Sequence, residues 1–278
     1  PLSTEKYVKY ISSGNDFSVA ITVEGELYTW GSNAYYNLGI GSKTSQVRPV
    51  SILSPNKFIS ASAARYHAAA VNTNGKIYTW GANTADGDTG CAETSCCPTC
   101  SEPTKMGMLG LGPNYFYSRT PKPVPGIVGG FISVSCGVYH CLALTSSGEL
   151  WSWGDNTYGQ LGNGAYGANT MQYSPVRVAY SKSNGGTLSN VKIVAISAGS
   201  YHSMALSSLG ELYVWGSNAN GQIGDGIVRS SNLCRFPKRI IKPPVYRIPF
   251  KTISAGAAST HALSFNGSLF SWGSNSKG

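Results

Sequence analysis

Charge is scarce in this sequence. Only 12 % of its 278 residues are Asp, Glu, Lys or Arg, against about 25 % in ordinary globular domains, so Ser, Thr, Asn and Tyr must solvate the surface. Acid is missing altogether from the C-terminal fifth. All 12 acidic residues lie at or before Asp225, while eight Lys or Arg follow Ile227. The net charge of +9 is therefore a local excess, since the first 226 residues carry 13 basic against 12 acidic groups. No run of eighteen apolar residues occurs, which excludes a membrane-spanning helix. No Ser/His/Asp arrangement, phosphate loop or paired-carboxylate motif is present, so the sequence does not read as an enzyme, and no cofactor is expected. An initiating Met and a signal peptide are also missing, and the chain is expected to be a processed or trimmed piece.

Glycine and tyrosine are plentiful, at 34 and 17 residues. With 41 % hydrophobic residues they suit many short strands joined by tight turns. The glycines fall in an internal repeat. Its clearest copy runs Ile196-Ser-Ala-Gly-Ser-Tyr-His202, then Gly210-Glu-Leu-Tyr-Val-Trp215-Gly216-Ser-Asn218, then Gly221-Gln-Ile-Gly224-Asp-Gly226. A second runs Ser135-Cys-Gly137, His140, Gly148-Glu-Leu-Trp-Ser-Trp153-Gly154-Asp-Asn156 and Gly159-Gln-Leu-Gly162-Asn-Gly164. Further Trp-Gly pairs stand at Trp30, Trp80 and Trp272, so the five copies are spaced by 50, 73, 62 and 57 residues. That spacing fits one four-stranded blade with loop insertions. The Trp is expected to fill the wedge between blades, and the Gly after it to adopt angles that other residues avoid. Pro-containing segments such as Arg48-Pro-Val-Ser-Ile52 and Ser174-Pro-Val-Arg-Val178 should be outer, edge strands, because Pro cannot donate to a central ladder.

These motifs resemble the regulator-of-chromosome-condensation repeat family. The resemblance covers essentially the whole chain and implies an all-β fold, a β-propeller of that family's type. Five blade repeats are seen, expected to be part of a seven-bladed ring. Residues 1–278 are expected to be a single propeller domain, incomplete at both ends, with a Cys-rich loop insertion at about 84–108. Some copies depart from the pattern. Phe17 and Ser259 stand at the His position, with His261 two residues later, Ala64 replaces a motif Gly, and Tyr36-Asn-Leu-Gly replaces Gly-Gln-Leu-Gly.

Three groups of residues invite a functional reading. His67, His140 and His202 recur at one repeat position, which argues for a structural role such as a bond to a backbone carbonyl near the channel, rather than catalysis or metal binding. Cys91, Cys96, Cys97 and Cys100 suit two local disulfides, free thiols or a zinc site, although adjacent Cys96-Cys97 is awkward for zinc, and no metal is assigned. Cys136 and Cys141 suit either a pair or two small core residues, leaving Cys234 odd. The basic stretch Arg229, Arg235, Lys238, Arg239, Lys242, Arg247 and Lys251 reads either as a surface for an acidic partner or as protection of an edge strand.

The function expected is a non-catalytic protein-interaction scaffold, presenting loops to a protein partner with an acidic surface, and structural in a large assembly. Nucleic acid is a less favoured partner. The resemblance implies two alternatives. One is a guanine nucleotide exchange factor for a small GTPase with chromatin association, as one family member is, although that member's exchange wedge and basic tail have no recognisable match here. The other is a secreted, disulfide-bonded propeller. Extracellular, ciliary, cytoskeletal and nuclear compartments all stay open.

Overall fold

A computed structural model describes residues 6–85, 106–179, 191–226, 232–240 and 248–276. The first blade comprises Val8–Ser13 (β1), Phe17–Thr22 (β2), Leu27–Gly31 (β3) and Gln46–Ser51 (β4). The second comprises Phe58–Ala63 (β5), His67–Asn72 (β6), Ile77–Ala82 (β7) and Tyr117–Pro123 (β8). Phe131–Cys136 (β9), His140–Thr145 (β10), Leu150–Gly154 (β11) and Gln172–Arg177 (β12) make the third. Ile193–Ala198 (β13), His202–Ser207 (β14), Leu212–Ser217 (β15) and Leu233–Arg239 (β16) make the fourth. The fifth has three described strands, Phe250–Ala255 (β17), Ser259–Ser264 (β18) and Leu269–Gly273 (β19).

Every sheet is an antiparallel meander in chain order. The first strand of each blade packs on the first strand of the next, from β1 on β5 through to β13 on β17. These are the inner strands. The Pro-containing β4 and β12 lie at the other edge of their sheets, where a missing N–H costs no ladder bond.

The second strands show why the blades must stack. β6, β10 and β14 are buried at every residue. Successive side chains point to opposite faces of a sheet, and here both faces are covered. Ala68 and Ala70 of β6 join Phe17, Val19 and Ile21 in the seam with the first blade, while Ala69 and Val71 join Val134 and Ala143 in the seam with the third. Trp80, Trp153 and Trp215 fill successive wedges, each fully buried. At about 25 cal/mol per Å², burying a ring of this size contributes about 4–6 kcal/mol as an upper estimate. One repeat position measures the value of a neighbour. Leu27, Ile77, Leu150 and Leu212 are at most 1 % exposed, whereas the equivalent Leu269 in the fifth blade is 69 % exposed.

The motif residues hold the loops. The Gly after each Trp has φ between 98° and 110°, in the left-handed region. The Asn two residues later accepts the backbone N–H of the Leu or Ile in the Gly-Gln-Leu-Gly loop: Asn33 from Leu38, Asn156 from Leu161 and Asn218 from Ile223, at 2.9, 3.1 and 3.0 Å. In the second copy Asn83 accepts from Leu109 at 3.2 Å. Gly107-Met108-Leu109-Gly110 is thus the repeat loop, and Met108 belongs to the repeat rather than to the inserted stretch. Met at the Gln position hid this in the sequence. The Cys91, Cys96, Cys97 and Cys100 cluster lies outside the described residues.

Candidate functional site

The repeated histidines are bonded across the seams to side chains, and this differs from the backbone carbonyl expected. His140 Nε2 stands 2.8 Å from Ser203 Oγ of the next blade, and His202 Nε2 stands 3.1 Å from Thr260 Oγ1. Each hydroxyl has one proton and spends it on a carbonyl. Ser203 donates to Gln160 O at 2.8 Å, and Thr260 to Gln222 O at 2.7 Å. The hydroxyls must therefore accept from Nε2–H, which assigns the tautomer and leaves Nδ1 as a bare lone pair. The same two carbonyls also accept the indole N–H of Trp215 and Trp272, at 2.9 and 3.0 Å. Each seam is thus tied by a relay from His through hydroxyl to carbonyl, met from the other side by Trp.

The relay requires neutral imidazole. Burial pushes His67 and His140 down to about 3, and His202 down to about 4. Nδ1 of all three has no partner among the described residues. Room for the rings comes from the motif glycines, since a Cβ on Gly137 would meet His140 Cε1 at 2.8 Å. Where the first copy has Phe17, the next blade has Ala68 at the hydroxyl position, and both lie in one apolar cluster.

At the seam between the second and third blades the hydroxyl position holds Cys141. His67 Nε2 lies 3.2 Å from Cys141 Sγ, which stands 3.8 Å from Met108 O. Trp153 donates to the same carbonyl at 2.9 Å. Cys141 is bonded to Cys136 as a disulfide across β9 and β10. His67, Cys136 and Cys141 bring possible ligand atoms within 4.8 Å of one another, yet sulfurs spent on a disulfide offer no thiolate to a metal.

The loops that follow the inner strands and those that follow the Trp-Gly pairs emerge on one face, because adjacent strands are antiparallel. Tyrosines gather there. Tyr139 and Tyr158 pack on Tyr201 with ring centroids 5.7 and 5.2 Å away, and Tyr35 packs on Tyr66 at 4.8 Å. The Tyr201 hydroxyl is pushed up to about 12 by burial, with Tyr139, Tyr158 and Asp155 adding to the effect. Arg65 lies over the Tyr66 ring at 4.7 Å, and Arg235 over Tyr166 at 5.9 Å. On the opposite face the repeat glutamates pair with cations: Glu149 with Arg177 at 3.0 Å, Glu211 with Arg239 at 2.8 Å, and Glu26 with Lys6. Sequence reading missed the tyrosine face, although Tyr66, Tyr139 and Tyr201 all precede a repeat His.

The basic stretch is not gathered into one patch by the described residues. Arg235, Lys238 and Arg239 are strung along the outer strand β16, while Lys251 lies on the inner strand β17 of the next blade. Lys238 pairs with Asp225 at 2.7 Å, and Arg239 with Glu211. Arg229, Lys242 and Arg247 lie outside the described residues.

A family model described as "RCC1-like domain" matches residues 1–278. The chain is 30 % identical over 276 residues to the RCC1 domain-containing protein RUG3, mitochondrial, of Arabidopsis thaliana, covering 98 % of this chain and 55 % of that protein. It thus spans about half the length of that relative. Among solved structures, human WBSCR16 superimposes with TM-score 0.76 at 23 % identity, over 99 % of this chain and 64 % of that one. Prp20p of Saccharomyces cerevisiae superimposes with TM-score 0.74 at 24 % identity, over 97 % and 57 %.

Proposed function

The chain belongs to the RCC1-like domain family, and from that premise we propose that it is a protein-interaction propeller whose tyrosine-lined loop face receives a protein partner. The propeller is a non-catalytic domain. The observation that carries the proposal is the cluster of Tyr139, Tyr158 and Tyr201 at a loop face, where the half-buried Tyr139 and the exposed Tyr158 both pack on the half-buried Tyr201. Tyr supplies a large contact area at low entropic cost, and Tyr and Arg are enriched in binding hot spots.

The partner class this reading favours is a small GTPase. Prp20p, whose fold the chain shares, is described with its binding to Gsp1p and histones, and one member of the family exchanges nucleotide on a small nuclear GTPase. Exchange by a rigid binding face requires no nucleophile or acid–base pair, and no such motif was found in the sequence. A larger, seven-bladed ring accompanies this reading. It is supported by the apolar side chains Ile11 and Leu269 on the outward sides of the first and fifth blades, 71 % and 69 % exposed.

The test is calorimetric titration with purified Gsp1p as the small GTPase, combined with release of a fluorescent guanine nucleotide. Tyr201→Ala is expected to weaken binding by about tenfold or more, the loss of one aromatic hot spot. Glu24→Lys, on the opposite face, should leave binding unchanged. Absence of binding by the unaltered chain sinks the GTPase reading, and equal losses from both variants sink the assignment of the face.

A further inference from the structure

Two seams share one arrangement, the first seam replaces it with the apolar Phe17 and Ala68, and the seam between the second and third blades keeps the histidine but puts a cysteine in the place of the hydroxyl. At the position of Cys141 the later blades carry Ser203 and Thr260, each passing a proton to the carbonyl that also accepts the Trp. At the position of Cys136 the other inner strands carry Ser13, Ala63, Ala198 and Ala255. The blades around the third therefore form without a bridge there. The bridge also closes a loop only five residues apart in sequence, whose ends antiparallel pairing already holds with Cα atoms 4.0 Å apart. Such a bridge removes little chain entropy beyond the pairing itself.

We propose that Cys136 and Cys141 form a reversible dithiol–disulfide site that controls the hydrogen-bond relay between the second and third blades. With the disulfide in place the Cys141 sulfur already lies 3.2 Å from His67 Nε2 and 3.8 Å from Met108 O, so in the dithiol form Cys141 takes the part of Ser203, its sulfur accepting from Nε2–H and its S–H facing the carbonyl. A thiol is a weak donor and acceptor, so it fills this place less strongly than a hydroxyl does. In the disulfide form Cys141 has no proton to give. Met108 O keeps only the Trp153 indole N–H, and the His67 N–H ends on a sulfur that passes nothing on. Oxidation thus trades a bond between blades for a bond within one.

The oxidant must be small, because Cys141 is fully buried and Cys136 is 7 % exposed. A peroxide meets that need. Cys136 sulfur, as thiolate, attacks one peroxide oxygen, the O–O bond breaks, and hydroxide leaves and takes up a proton as water. Cys141 thiolate then attacks the sulfur of the resulting Cys136 sulfenic acid, and the second oxygen leaves as water with the Cys141 proton. Two thiols and one hydrogen peroxide become one disulfide and two waters. A dithiol reductant reverses the step by exchange.

Both cysteines fall on one tryptic peptide, 120–177, that contains no other Cys. The folded 278-residue chain is treated with dithiothreitol, then with hydrogen peroxide, then with dithiothreitol again. Each sample is alkylated in denaturant and digested. The peptide is expected to carry two alkyl groups, then none with an internal disulfide, then two. Amide exchange across 107–111 should be about twofold faster in the oxidised form, the loss of one hydrogen bond at the weak end of the usual range. The double variant Cys136→Ala, Cys141→Ser restores the repeat's own residues. It should fold, ignore peroxide and exchange at least as slowly as the reduced chain. Resistance of the bond to native dithiothreitol makes it a permanent cross-link and overturns the proposal. So do a doubly alkylated peptide after peroxide, unchanged exchange at 107–111, or stoichiometric zinc in the reduced chain that the double variant loses.

Discussion

His140 Nε2 and Ser203 Oγ meet 2.8 Å apart across the seam between the third and fourth blades, both fully buried. The serine can accept this proton only because its own goes to Gln160 O. His140→Phe and Ser203→Ala should each cost about 1–3 kcal/mol, leaving one buried polar partner short of a bond. The double variant rebuilds the Phe17 and Ala68 arrangement of the first seam and should cost less than the sum by about 1 kcal/mol. Urea denaturation of the four proteins measures the coupling. Strict additivity would show that the two side chains do not share a bond.

Stability should fall in mild acid. The three buried histidines are held at about 3, 3 and 4 against an ordinary 6.5. Below pH 6.5 the unfolded chain therefore binds protons that the folded chain refuses. Each histidine lowers stability by about 1.4 kcal/mol per pH unit in that window, an effect that stops once the folded groups also protonate. Above pH 6.5 the contribution is complete and flat. Denaturant midpoints between pH 7.5 and 4.5 should show this slope, and His140→Phe should reduce it by one histidine's share.

Gly162→Ala should be more harmful than Gly226→Ala. Both glycines have φ near 67°, at 66° and 67°, so both variants bear the same backbone strain. A Cβ on Gly162 would also meet Trp215 Nε1 at 2.7 Å, whereas one on Gly226 meets nothing within 4 Å. The expected costs are about 2–4 kcal/mol and about 1–2 kcal/mol. Thermal unfolding compares them, and equal shifts would mean that the indole gives way freely.

The basic residues of β16 should separate by role. Asp225 is 5 % exposed at its side chain and lies 2.7 Å from Lys238 Nζ. Lys238→Ala removes that cation and should cost about 1–3 kcal/mol. Arg235→Ala loses ring contacts with Tyr166 and Phe236 and should cost about 0.5–1 kcal/mol. Urea midpoints decide, and a harmless Lys238→Ala would return that lysine to the candidate partner surface.

Much of the fold could be read before the structure because the repeat carries its own instructions. A Gly after each Trp demands a positive φ, a Pro demands an edge, and apolar residues on both sides of a strand demand two neighbours. Those requirements are local in sequence. The second copy was misread at Met108 for a related reason: what the loop offers its neighbour is a backbone carbonyl, and a carbonyl leaves no mark on residue identity. The tyrosine face escaped notice because Tyr35, Tyr66, Tyr139, Tyr158 and Tyr201 come from loops far apart in the chain.

The sequence by itself determined the strands, their order within each blade and the recurrence of Trp, His and Gly, because period, turn chemistry and Pro placement act over a few residues. Only the tertiary structure decided what the recurring side chains touch. His140 reaches Ser203 from 63 residues away, and the low dielectric of the seam, where both side chains are fully buried, makes that distant hydroxyl its partner.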